Sequence, residues 1–274
     1  MNNVQGRGLL NITADELSWF RELKIGRLLK SEQITHALTN QVFLLTFENK
    51  RQYIFKRLNL KARSVEDRKR ELSVQKAAAD KQLTPEVIAS SETYKLQEYI
   101  TGQVLSETSV NQDIIELLAR QLLRIHQLPA GEAQPQQLAY ELNLLKKQLN
   151  KPLDNNKFLQ MLRLADTLDK SSSRDILCHG DLSVNNVLVS TDQIMILDWE
   201  YAVTACAAYD LAFCNCINEF NAAQRKQLIE HYYHLNQENL TQSLEQLKGE
   251  CALYFTVFVY INELWALCFL DEEQ

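Results

Sequence analysis

"CHGDLSVNNVLVSTDQIMILDWEYA", residues 178–202, decides how this chain is read. It sets Asp181, Asn185, Asn186 and Asp198 between short runs of Val, Ile and Leu. "DILCHGDL" predicts a short apolar strand running into a polar loop, and "NNVLVS" and "QIMILDW" predict two more strands joined by a turn. The polar side chains therefore collect at strand ends, where loops present them to solvent. Two carboxylates and an amide are oxygen donors that suit Mg2+, which takes one or two protein carboxylates and fills its shell with phosphate oxygens and water. Such a site is incomplete without a phosphorylated substrate, which points to nucleotide chemistry.

The remaining sequence frames that centre. The chain has 274 residues, a length that suits one large domain or two lobes. Its 29 basic and 35 acidic side chains give a formal net charge of -6, the wrong balance for a general nucleic-acid binder. The N-terminus, "MNNVQGRGLL", has no apolar stretch of signal-peptide length, and the six cysteines sit mostly in apolar runs without CxxC spacing. They read as reduced, core-filling thiols of a cytoplasmic protein rather than a zinc site. "CALYFTVFVYINELWALCFL" (251–270) is as long as a membrane span, but Asn262 and Glu263 lie well inside it. We expect a buried C-terminal helix there and no membrane partner.

Working outward, "TADELSWFREL" opens with a capping-box pattern from Thr13 to Glu16 and predicts a helix. "QVFLLTF" (41–47) and "QYIFKRL" (52–58), split by "ENKR", predict a hairpin. A helix is expected over 64–80, then strands at "PEVIAS" and "YKLQEYI". After residue 101 Leu-rich helical patterns take over, at 111–128, 136–150 and 155–170, and helices return from about 207. The expected domains are 1–100 and 101–274. Lys56, flanked by Ile54, Phe55 and Leu58, needs a partner if buried; Glu71 in the following helix is the natural one, with Glu66 as rival.

The pattern H-x-D-x-x-x-x-N, followed by a strand-borne Asp, resembles the catalytic loop and metal-binding Asp of kinases. "HGDLSVNNVL…ILDWEYA…YDLA" is similar to the choline/ethanolamine kinase and aminoglycoside phosphotransferase superfamily, with "DWEYA" nearest the choline and thiamine kinase branch. Trp199 and Glu200 follow Asp198 where protein kinases carry a DFG-type Gly. The resemblance implies an α+β, bilobal, protein-kinase-like fold with a small β-rich N-lobe and a larger, mainly helical C-lobe. It implies ATP and Mg2+, with Asp181 as catalytic base, His179 bracing the loop, and Asn186 and Asp198 holding the metal.

In the N-lobe the resemblance assigns Lys56 and Glu71 to the α- and β-phosphates, and Thr39 and Asn40 to a loop over the phosphates. That loop's lead-in is His36-Ala37 instead of a Gly-Gly type pair. Backbone groups around Glu98 to Ile100 fall where adenine binds. For a cationic acceptor, held by aromatic faces and carboxylates, the matching positions are Tyr201 with Glu200, Glu219, and Trp265 with Tyr260. Trp265 reads equally as a core aromatic, and Asp210 matches a structural position. The expected activity is phosphorylation of a small cationic alcohol, choline or ethanolamine first. Thiamine, aminoglycosides and a non-catalytic nucleotide-binding role are the alternatives.

Overall fold

The computed structural model describes residues 11–34, 40–59, 64–107, 111–171 and 173–269. The chain divides into two compact units, Met1–Gly102 with Ser190–Met195, and Gln103–Val189 with Ile196–Gln274. The sequence placed the boundary at 100/101 and gave 190–195 to the second unit.

The first unit is a five-stranded antiparallel sheet in the order β1-β2-β3-β5-β4. Its strands are β1 (Leu28–Ile34), β2 (Gln41–Phe47), β3 (Gln52–Arg57), β4 (Val87–Ser90) and β5 (Tyr94–Glu98). Alternation along β2 and β3 sends Phe43, Leu45, Phe47, Tyr53 and Phe55 to one buried face. Helix α1 (Ala14–Glu22) closes that face with Phe20, whose ring lies 5.1 Å from Phe55 and 6.0 Å from Phe47. The expected capping box is formed: Thr13 and Glu16 bond each other's backbone N–H. The buried Glu16 carboxylate also receives Arg57 of β3, at 2.7 and 2.9 Å, tying α1 to the sheet. Lys56 projects from the opposite face, directly across from Lys95 of β5. Helix α2 (Val65–Ala79), begun by a capping box at Ser64 and Asp67, packs against β4.

The second unit is mainly helical. Its helices are α3 (Gln112–His126), α4 (Leu138–Gln148), α5 (Asn155–Ser171), α6 (Ala207–Ile217), α7 (Ala222–Leu235) and α8 (Leu244–Phe269). Its short strands are β6 (Gln103–Val104), β7 (Gln134–Pro135), β8 (Ile176–Cys178), β9 (Val187–Val189) and β11 (Val203–Ala205), and β10 (Ile194–Ile196) begins within the Ser190–Met195 segment of the first unit. β11 is central in a small sheet, parallel to β7 and antiparallel to β8. This is the α+β composition expected from the sequence.

Three expectations need correction. β1 was not foreseen, because its burial pattern buries only Leu28 and Ser31 and the rest is polar or exposed. β6, β7 and β11 are too short for a periodic signal. The C-terminal helix is buried on one side only. Tyr254, Val257, Phe258, Ile261 and Leu264 pack inward, while Leu253, Trp265, Leu267 and Phe269 are exposed. Glu263 lies on the exposed side, paired with Lys157 at 2.6 Å. By length and composition alone α8 could cross a membrane. All six cysteines are free thiols, and Cys178, Cys206, Cys214 and Cys251 are buried.

Candidate active site

Strand β8 delivers the chain into the polar loop. His179, the first residue past it, is fully buried. Its Nδ1 accepts the Asp181 N–H at 3.3 Å, and its Nε2 lies 3.0 Å from the Leu197 carbonyl. A carbonyl only accepts, so Nε2 carries the proton and the ring is a neutral tautomer. Burial holds the imidazole below its ordinary pKa, in keeping with that state. The Trp199 indole packs edge-on against it, centroids 4.9 Å apart.

Gly180 has φ +71°, and a Cβ there would stand 2.3 Å from the Tyr201 carbonyl oxygen. Only glycine fits both the backbone and the space. We expect Gly180→Ala to destabilise the chain by about 2–4 kcal/mol, seen as a lower Tm and a collapse of turnover together. A variant with native Tm would show that the loop tolerates displacement of Tyr201.

Asp181 is half-buried at the loop's tip. Asn186 donates from Nδ2 to the Asp181 backbone carbonyl at 2.8 Å and to Oδ2 at 2.9 Å, clamping the carboxylate. Burial pushes the Asp181 carboxyl up to about 7; the Asn186 hydrogen bond opposes this, and the charges of Asp198, Glu200 and Asp210 add to it. Asp198 follows β10 and has φ 56° and ψ 76°, left-handed values that are strained for a non-glycine residue. It opens the single helical turn Trp199–Tyr201. The Leu197 N–H donates to the Asn186 carbonyl at 2.8 Å, locking the segment before Asp198 to the loop.

The loop is held from behind by two residues of α6 and its end. Asp210, fully buried, accepts the His179 N–H at 2.8 Å and the Gly180 N–H at 3.0 Å. His126 of α3 adds a third contact, Nε2 to Oδ2 at 3.2 Å, and its Nδ1 lies 2.7 Å from the Tyr232 hydroxyl. Burial alone would raise the Asp210 carboxyl, but His126 and the backbone donors outweigh it and hold it below its ordinary pKa. Asn218 accepts the Val184 N–H at 2.8 Å and donates to the Leu182 carbonyl at 3.1 Å. His126, Cys178 and Asp210 cluster tightly enough to suggest a metal site. Both His126 nitrogens are engaged, however, and burial pushes the Cys178 thiol well up, away from the thiolate a metal needs. The cluster is a brace.

The structure thus brings His179, Asp181, Asn186, Asp198 and Glu200 into one polar group, with Tyr201 half-exposed against Gly180. Glu219, exposed past the end of α6, and Trp265, 46% exposed on α8 beside Phe269, make no described contact with it. Tyr260 is buried, with Lys157 5.0 Å over its ring. Gly180, His126 and Asn218 were missed. Only a positive φ marks the first, and the others lie 55 and 37 residues from Asp181 in sequence.

In the sheet unit Glu71 pairs with Lys95, buried on β5, and Lys56 stands directly across from Lys95 in the strand register. Asn40 accepts the Asn59 N–H at 3.0 Å, and the Glu98 N–H goes to the Glu86 carbonyl at 2.9 Å. Ile100 is half-buried. Thr39, with His36 and Ala37, lies outside the described residues.

A sheet unit, then a helical unit carrying a braced loop with a carboxylate lifted toward neutrality, is the layout of a protein-kinase-like phosphotransferase. The chain belongs to the phosphotransferase enzyme family (APH), whose profile matches residues 30–246. It is similar to "Protein LicA homolog" of Metamycoplasma hominis, 23% identical over 153 residues, which are 54% of this chain and 60% of that protein. In fold it is similar to the choline kinase LicA from Streptococcus pneumoniae, with a TM-score of 0.69 at 20% identity over 95% of this chain and 92% of that one. It is also similar to the amicoumacin kinase hAmiN in complex with AMP-PNP, Ca2+ and Ami, with a TM-score of 0.74 at 13% identity over 93% and 86% of the two chains.

Proposed function

We propose that this protein transfers the γ-phosphoryl group of ATP to the hydroxyl of a small cationic alcohol, choline or ethanolamine first, in a Mg2+-dependent reaction in the cytoplasm. The observation that carries this reading is the Asp181 carboxyl, steered by Asn186 and raised to about 7. A general base works best with a pKa near the working pH.

In the reaction Asp181 accepts the proton of the acceptor hydroxyl. The acceptor oxygen bonds to the γ-phosphorus as its bond to the β,γ-bridging oxygen breaks, and ADP leaves with that oxygen. His179, neutral and hydrogen-bonded at both nitrogens, keeps the loop in register and moves no proton. Asn186 and Asp198 fit the role of Mg2+ holders. With Asn186 Nδ2 turned to Asp181, its Oδ1 is the atom left to coordinate, and Asp198 adds a second hard oxygen donor. Bound there, the ion would neutralise charge on the phosphate oxygens. Lys56 serves the phosphates, and the half-exposed Tyr201 ring with the Glu200 carboxylate suits a cationic acceptor. The choline kinase among its structural neighbours supports that acceptor class, and the AMP-PNP and Ca2+ of the amicoumacin kinase support a nucleotide with a divalent ion.

The test is ATP consumption with choline, ethanolamine, thiamine and kanamycin, with and without Mg2+. We expect Mg2+-dependent turnover with choline or ethanolamine. Turnover only with thiamine or kanamycin would reassign the acceptor, and nucleotide binding without any turnover would make the protein a non-catalytic relative.

A further inference from the structure

A groove of 630 Å³ lies between α1 and β1 in the first unit. Sites for small ligands span ~300–1,000 Å³. The floor is apolar, made by Leu17 and Phe20 of α1 and Leu28 of β1, and the last two belong to the buried core of the sheet unit. The rim is cationic: Arg21, Lys24 and Arg27 line it, and all three are exposed. Arg27 has Glu48 at 3.7 Å; among the described residues no acid pairs with Arg21 or Lys24. A cation in the last turn of a helix suits its dipole, which accounts for Arg21 but not for Lys24 and Arg27, beyond the helix end. The backbone that carries them is fixed. Lys24 and Gly26 take left-handed values, φ 54° and 108°, and for a lysine these are strained. The turn between β2 and β3 pins this connection. Glu48 accepts the Arg27 N–H at 3.2 Å and donates its own N–H to the Arg27 carbonyl at 2.9 Å, while Asn49 Nδ2 donates to the Ile25 carbonyl at 3.2 Å.

We propose that this groove binds a free single-chain anionic amphiphile of the fatty-acid type. The aliphatic tail covers Leu17, Phe20 and Leu28, and the carboxylate meets Arg21 and Lys24, with Arg27 beside them. The two halves of the groove together select this chemistry. An inorganic anion would leave the apolar floor in water, and a neutral apolar molecule would leave the cations without a counter-charge. A cationic amphiphile would be repelled by the rim. Because Arg27 already faces Glu48, Arg21 and Lys24 carry the recognition of charge. The pinned turn sets the backbone of the rim before a ligand arrives, so little ordering is left to oppose binding. None of these residues belongs to the phosphoryl-transfer site proposed above, and the groove does not depend on that reading.

The test is calorimetry on the full-length protein without nucleotide. The probes are sodium decanoate, sodium octanoate and decyltrimethylammonium, kept below micelle-forming concentrations, and inorganic phosphate. Decanoate is expected to bind. Octanoate, shorter by two methylenes, is expected to bind about tenfold more weakly, as two buried CH2 groups require. Arg21→Glu/Lys24→Glu is expected to weaken decanoate about tenfold or more and, both side chains being exposed, to leave Tm at the wild-type value. Should that variant not fold, Arg21→Gln/Lys24→Gln removes the two charges and makes the same comparison. Decyltrimethylammonium or phosphate binding as tightly as decanoate overturns the proposal, as do octanoate and decanoate of equal affinity. An affinity that the charge variants leave unchanged overturns it too. So does wild type that binds no decanoate; if it binds phosphatidylglycerol vesicles instead, the patch is a membrane contact.

Discussion

Asp181→Asn is expected to lower kcat by a factor on the order of 10²–10⁴, the usual contribution of a positioned general base. The substitution keeps an oxygen to accept the Asn186 amide hydrogen bond, now 2.9 Å long, so the loop geometry should persist. It removes the proton acceptor and nothing else. Tm and AMP-PNP affinity are therefore expected to stay at wild-type values while turnover falls. The measurement is steady-state ADP release with the acceptor that gives the best turnover. A loss smaller than about fivefold would mean that the acceptor hydroxyl gives up its proton elsewhere, and Asp181 would then be an orienting residue.

The second large effect concerns stability. Asp210 is fully buried and satisfies the His179 and Gly180 N–H groups and the His126 ring. Asp210→Ala leaves those donors without an acceptor in the interior. Breaking one side of such a buried network costs about 3–5 kcal/mol, which at this chain length lowers Tm by about 10 °C. The same carboxyl has a folded pKa below its ordinary value. Its contribution is fully present above the ordinary Asp pKa and is lost as pH falls through the lowered folded one. Stability should therefore fall away in strong acid in the wild type and less steeply in the Ala variant. Thermal melts of both proteins across acidic pH test the two claims together, and equal Tm values at neutral pH would remove Asp210 from the brace.

What was legible in the sequence follows from the range of each signal. The capping box Thr13–Glu16 and the hairpin of β2 and β3 are written in neighbouring residues, and both stand as expected. The spacing from His179 to Asn186 is likewise local, and the loop gathers those residues. The brace was not legible, because Asp210 meets His126 across 84 positions and a lone "IH" in an amphipathic helix carries no period of its own. The pairing of Lys95 with Glu71 was hidden for another reason: the two residues lie 24 positions apart on β5 and α2, and no local pattern joins them. Glu219 and Trp265 were singled out by the family resemblance and by residue type; Glu219 lies exposed just past α6 and Trp265 exposed on α8, positions that packing sets and residue type does not encode.

The chain has three tryptophans, and their settings differ. Trp19 packs on Phe20, Phe55 and Tyr94 in the sheet unit, Trp199 is enclosed beside His179 in the helical unit, and Trp265 faces solvent. Trp265→Phe would therefore leave a single indole reporter in each unit. Fluorescence emission followed through a urea titration would then show whether the two units melt in one cooperative step or in succession, without any label being attached.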